Sequence, residues 1–222
     1  MVRTREGIIE AARRMLPAGG EMPVDAIAAA AGVSVQTLYT QFGSKRSLLL
    51  AVIDTIQRDA GTYADFDRVW QSPDGESALR RMIEATFRIW DGAWTFVEFS
   101  ERVRRTDLEI RRHLQEVDGY RLANLRTITD RLAFEARLRA GIDAAAAADL
   151  AFAMSLPASY EQLVRIRAWV SERAMTTVTD AVVAALIDPE RAPVLEPRAD
   201  WTAALRPTTV MAGSNKPDRG SH

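Results

Sequence analysis

The stretch VDAIAAAAGVSVQTLYTQFGSK, residues 24–45, constrains this chain more than any other. Two short segments with helical apolar spacing, Pro23–Ala31 and Ser34–Phe42, are joined only through Gly32 and Val33, which are the proportions of a helix-turn-helix. Gly32 supplies the left-handed backbone that a sharp turn needs, and the small Ala28 and Ala29 allow the two helices to approach closely. Pro23 reads as a first-turn residue of the earlier helix, Ser34 as the N-cap of the later one, and Gly43 as its stop. Val33, Leu38 and Phe42 then face inward, leaving Val35, Gln36, Thr37, Tyr39, Thr40 and Gln41 on the open side.

That open side is polar and almost uncharged, which suits base edges in a major groove. Glutamine pairs with adenine, threonine hydroxyls donate or accept, and a valine or threonine methyl packs on the thymine methyl. Phosphate contacts are expected from Tyr39, from Lys45 and from the free amides at the start of the next helix. The net charge is −1, and residues 1–58 carry seven basic against five acidic side chains, about +2. A general electrostatic field is therefore too weak to carry such binding, which must rest on placed contacts.

The remaining patterns are also helical, and the fold class expected is all-α. Ile8, Ala12, Met15 and Leu16 recur at helical spacing until PAGG, residues 17–20, interrupts them. A further helix starts near Ser44 and buries Leu48, Leu49, Val52, Ile53 and Ile56. QSPDGES, residues 71–77, reads as a loop, and an arginine-rich helical region follows to about Arg139, with WDGAW expected to break it. The next helix is expected to kink at Pro157, and Ser171 to cap the last one. Prolines recur from Pro189, so the end reads as a poorly ordered tail with ADWTAAL as one residual helical turn.

With 222 residues, 47% of them apolar, the chain has material for a sizeable core. No run approaches a membrane helix, and the opening MVRTREGIIEAARR lacks the apolar centre of a signal peptide, so a cytoplasmic protein is expected. The absence of cysteine excludes disulfides, thiolate metal sites and cysteine nucleophiles, and the only histidines are His113 and His222. Without a glycine-rich phosphate loop or metal-ligand spacing, no cofactor and no metal are expected, and an all-helical enzyme is the weakest reading.

TREGIIEAARRML, VDAIAAAAGVSVQTLYTQFGSKRSLLLAVID and, more weakly, SYEQLVRIRAWVSERAMTTVTDAVVAALI together resemble the tetracycline-repressor-like (TetR-like) family of bacterial transcription regulators. The resemblance is specific over about residues 3–56. It implies an N-terminal three-helix helix-turn-helix DNA-binding domain, residues 1–58, a larger C-terminal helical ligand-binding and dimerisation domain, residues 59–188, and the tail, residues 189–222. It also implies DNA contacts by Ser34, Val35, Gln36, Thr37, Tyr39, Thr40, Gln41 and Lys45. Gln41 stands where members often carry histidine or another aromatic ring, and Pro23 replaces the usual serine or threonine cap.

In the second region Phe87, Trp90, Trp94, Phe96 and Phe99 form an aromatic run, with Met82, Tyr120 and Met154 available from elsewhere. The resemblance implies a cavity there for a small-molecule effector, apolar or aromatic, with Phe87, Trp90, Trp94, Phe99, Tyr120 and Met154 as candidate ligand contacts. Plain core packing accounts for the same residues. Glu84 and Glu98 could favour a cationic ligand but read better as surface charges, and the arginines from Arg102 to Arg139, with His113 among them, read as a solvated face. Ala174, Val178, Ala181, Val182 and Ala185 make a smooth stripe, a homodimer interface by the resemblance or a cover for the chain's own core. The function expected is a ligand-responsive repressor released from a palindromic operator. The alternative is a helical interaction protein with a degenerate DNA-binding motif.

Overall fold

Gly32 and Gly43 adopt φ of +67° and +73° in the computed structural model, which describes residues 2–15, 23–59 and 62–191. These two left-handed turns set the directions of the front helices, α1 (Val2–Met15), α2 (Val24–Ala30), α3 (Val35–Phe42) and α4 (Lys45–Asp59). Pro23 lies one place outside α2, as its extended N-cap residue without a side-chain cap, because the helical backbone begins only at Val24. Leu16, PAGG, His222, the ADWTAAL turn and most of the proline-rich tail lie outside the described residues, as does the side chain of Ile53.

The helices continue as α5 (Thr62–Trp70), α6 (Gly75–Val103), α7 (Leu108–Phe134), α8 (Ala144–Met154), α9 (Pro157–Tyr160), a π-helical segment Glu161–Ile166, and α10 (Ser171–Leu186). Among the described residues there is no strand, only an isolated bridge between Leu138 and Ile187. Side-chain caps fix several starts: Asp74 accepts from the Ser77 amide at 2.6 Å, and Asp143 from the Ala146 amide at 2.8 Å. No described helix is long and apolar enough to cross a membrane.

One expected break holds and two details differ. WDGAW does interrupt the helix: the two helical stretches of α6 meet there at a kink at Ala93, where φ and ψ are −121° and 20°. Pro157 begins α9 instead of kinking a continuous helix, since α8 has already ended at Met154 and proline fits the first helical position. Ser171 does not cap α10. Val170 is its N-cap, with no side-chain bond.

Two apolar clusters result. The front one joins Ile8, Ile27, Leu38, Leu48 and Val52 to Phe96, Phe99 and Val103 from the second half of α6 and to Ile110 of α7. The other gathers Leu79, Ile83 and Phe87 from the first half of α6 with Leu125, Leu132, Ala147, Ala151, Val178 and Leu186. The kink in α6 thus divides its buried face between two cores.

The solvated arginine face holds only in part. Arg131 bonds buried Glu135 at 2.7 Å and donates to the carbonyls of Ser72 and Pro73. Arg137 reaches Glu76 at 2.5 Å with only 11% of its side chain exposed. His113 is 3% exposed, not solvated, because it turns from α7 toward α4. Charge interleaving cannot separate arginines that clamp neighbouring helices from arginines in water.

Candidate functional site

The geometry of α3 follows from its ends. Ser34 is in an extended conformation, and its hydroxyl accepts from the Thr37 amide at 3.0 Å while lying 2.8 Å from the Thr37 hydroxyl. One otherwise orphaned amide is thereby satisfied. Leu38 and Phe42 pin the inner face, and the guanidinium of Arg5 on α1 lies 4.9 Å from the Phe42 ring centroid.

The outer face is narrower than the six residues expected. Gln36, Tyr39 and Thr40 are exposed and, at 100° per residue, point the same way. Val35 packs partly against the front core, while Thr37 and Gln41 lie half-buried on the flanks. Thr40 also donates its hydroxyl to the Gln36 carbonyl at 2.8 Å, which leaves its methyl and the oxygen lone pairs to an outside partner.

Lys45 opens α4, behind Ser44, whose hydroxyl accepts from the Ser47 amide at 3.0 Å. The next residue, Arg46, bonds Glu116 on α7 at 3.1 Å. No periodicity argument reveals that link, because the partners lie 70 residues apart.

The expected ligand contacts do not all come together. Phe87, Trp90, Trp94 and Met154 belong to the rear core or pack against it. Phe99 does not join them: it is 2% exposed within the front core, on the far side of the Ala93 kink. Tyr120 is half-buried on α7. Trp90 donates its indole N–H to the Ser155 carbonyl at 3.1 Å, and Tyr160 stacks near Phe87 and Trp94 while its hydroxyl donates to Asp91 at 2.5 Å. Burial, reinforced by that carboxylate, pushes the Tyr160 phenol up to about 12, so it stays a donor at neutral pH. Sequence reasoning missed Tyr160, Phe152 and Arg121, which belong to the same interior. Glu84 and Glu98 pair with Arg88 and Arg102 on their own helix.

The small-residue stripe of α10 is largely spent internally. Ala174, Val178 and Val182 are buried in the rear core, Ala185 is half-buried against it, and Ala181 is exposed. For the three buried residues the helix's apolar face serves its own subunit, which overturns their reading as contacts with a second copy.

The described residues form a glycine-turned helix-turn-helix at the front and a helical bundle behind it. Residues 8–52 match the sequence profile described as bacterial regulatory proteins, tetR family. Solved structures share the fold over most of the chain. NalD of Pseudomonas aeruginosa, described as the secondary repressor of the MexAB-OprM multidrug efflux pump, is 17% identical with a TM-score of 0.64, covering 85% of this chain and all of its own. FadR of Bacillus subtilis, a transcriptional regulator in complex with stearoyl-CoA, is 19% identical with a TM-score of 0.65, covering 81% of this chain and 98% of its own. A regulator from Saccharomonospora viridis in complex with choline is 18% identical with a TM-score of 0.64, covering 85% and 100%. No curated protein sequence matches the chain.

Proposed function

We propose that this protein is a ligand-responsive, DNA-binding transcriptional regulator of the cytoplasm, acting as a homodimer that releases a palindromic operator when a small molecule binds its rear helices. The observation that carries the reading is α3: a Ser34-capped helix, pinned by Leu38 and Phe42, that turns Gln36, Tyr39 and Thr40 outward. Gln36 and Thr40 are assigned to base edges, Val35 and Gln41 to the flanks of the groove, and Ser34, Thr37, Tyr39 and Lys45 to the phosphate backbone.

Dimerisation has a physical ground apart from family likeness, because one short helix reads few base pairs and two related by symmetry read a palindrome. Of the α10 stripe, Ala181 and Ala185 remain available to a second copy. The working division is residues 1–58 for DNA and 59–188 for ligand and dimer, with α6 supplying core to both. Stearoyl-CoA and choline, bound by two structural neighbours, show that this fold admits very different small molecules, so the ligand must be read from this chain's own interior.

The mechanism is a population shift: an effector that prefers the dimer with wrongly spaced α3 helices lowers operator affinity, and operator lowers effector affinity by the same factor. The test is a mobility-shift titration with DNA flanking the protein's own gene against an unrelated duplex, at several salt concentrations. Tight binding to one footprinted palindrome is the expected result, and equal, salt-sensitive binding to both duplexes would overturn the assignment.

A further inference from the structure

The interior where α6, α7 and α8 meet holds a cation that the helices do not satisfy. Arg121 of α7 places its guanidinium carbon 4.2 Å from the Phe152 ring centroid on α8 and 5.4 Å from that of Trp90 on α6. Its Nε and Nη2 are buried and have no hydrogen-bond partner among the described residues. The charges that face it are Asp118 on its own helix and Glu101 and Arg104 on α6 and its end. Arg104 engages both carboxylates, at 3.0 Å to Asp118 and 3.3 Å to Glu101. Burial pulls the Arg121 guanidinium down to about 10, which still leaves it charged at neutral pH.

A buried donor without an acceptor is costly, and an ionised one more so, hence such groups call for a specific explanation. The chemistry of the unsatisfied edge supplies one. Nε–H and Nη2–H are the two parallel donors on the side of the guanidinium plane, the fork that a carboxylate fills with both oxygens. The two rings give apolar surface next to that fork, and Trp90 is held in place by its bond to Ser155.

We propose that Arg121 is the anchor for the carboxylate of an organic acid whose flat or extended apolar body lies against Trp90 and Phe152. The inference rests on the ligand-responsive reading above and adds the ligand's charge. Asp118 and Glu101 already pair with Arg104, and Glu84 and Glu98 with arginines on their own helix, so the unfilled polar group offered to a ligand is the Arg121 fork, which suits an anion.

The test uses the full chain, with naphthoate and decanoate as probes and naphthamide and decanamide as their neutral counterparts, followed by calorimetry and tryptophan fluorescence. At least one acid is expected to bind and to perturb tryptophan emission, about tenfold or more tightly than its amide, as a charge-assisted fork requires. Arg121→Met, folded by circular dichroism, should bind acid and amide alike, and Arg121→Lys should recover only part of the preference. Equal binding of acid and amide by the native protein overturns the proposal, as does unchanged acid preference in Arg121→Met or failure of both acids to bind. Operator binding in the mobility-shift assay is read separately, so loss of this proposal leaves the DNA-binding assignment standing, and loss of that assignment shows there instead.

Discussion

Arg46, in the first turn of α4, donates from Nη2 to Glu116 at 3.1 Å, and the same nitrogen lies 3.4 Å from Nδ1 of buried His113. The pair joins the helix that begins with Lys45 to α7, the helix that also carries Arg121. The start of α4 and the helix carrying Arg121 are thus in direct contact, a contiguous link of the kind that coupling between the rear helices and the proposed DNA-binding face would use.

His113 makes this junction sensitive to pH. Burial is the largest cause lowering its pKa, the Arg46 charge adds to it, and Glu116 opposes them. The folded state therefore favours the neutral ring. As pH falls through the ordinary histidine value of about 6.5, the unfolded chain takes up a proton that the folded chain declines, and stability drops by at most about 1.4 kcal/mol per pH unit. The loss ends once pH passes below the folded value. Urea midpoints from pH 8 down to 5 should show this slope in the native protein and its reduction in His113→Gln, and identical slopes would refute the assignment.

Two glycine-to-alanine changes should act in opposite directions. A Cβ on Gly75 would meet Leu132 and Glu135 at 2.9 Å, so Gly75→Ala overpacks the start of α6 against α7 and should cost roughly 1–3 kcal/mol. Gly119, inside α7, has nothing within 4 Å of such a Cβ, and Gly119→Ala should stabilise by about 0.5–1 kcal/mol through helix propensity. Denaturant unfolding of the two variants distinguishes packing from propensity.

Glu135 closes the same corner. It is 4% exposed, accepts from the Gly75 amide at 2.9 Å and pairs with Arg131 at 2.7 Å. Glu135→Ala leaves both donors without it in a buried place and should cost about 3–5 kcal/mol, read as a fall in the urea midpoint. A change below 1 kcal/mol, on the order of an exposed pair, would show that water replaces the carboxylate there.

The front unit was legible because its determinants are local. Gly32, Ser34, Gly43, Leu38 and Phe42 act within a few residues of themselves, and each takes the backbone or burial its chemistry dictates. What stayed hidden depends on partners distant in sequence. The aromatic run of α6 reads as one cluster, yet the Ala93 kink sends Phe87 to one core and Phe99 to the other. Likewise Arg121, Arg131 and Arg137 look like solvated arginines until α6, α8 and the 72–76 turn are placed around them. The α10 stripe was visible as a pattern, but sequence period cannot say whether an apolar face meets its own subunit or another.

Ser34 offers a test of how α3 is held. Its hydroxyl satisfies the Thr37 amide, so Ser34→Ala should lower stability by about 1 kcal/mol, whereas Ser34→Asp should retain the cap and bring a negative charge beside the proposed phosphate contacts. The alanine variant should thus lose thermal stability, and the aspartate variant should lose DNA affinity with little loss of fold. Equal behaviour of the two in melting and mobility-shift assays would contradict this separation.

Gln36 and Lys45 should fail in different ways when removed. Gln36 is exposed at the centre of the outer face, and a bidentate contact to adenine would make Gln36→Ala cost roughly 1–3 kcal/mol on the specific operator and little on unrelated DNA. Lys45 sits at the start of α4, and Lys45→Ala should weaken binding to every duplex while lowering the salt slope by about one unit. Titrations of both variants against operator and unrelated DNA at several salt concentrations resolve the two roles. If the glutamine variant lost affinity equally on both duplexes, base reading would have to pass to Thr40 and Tyr39, the other exposed residues of the face.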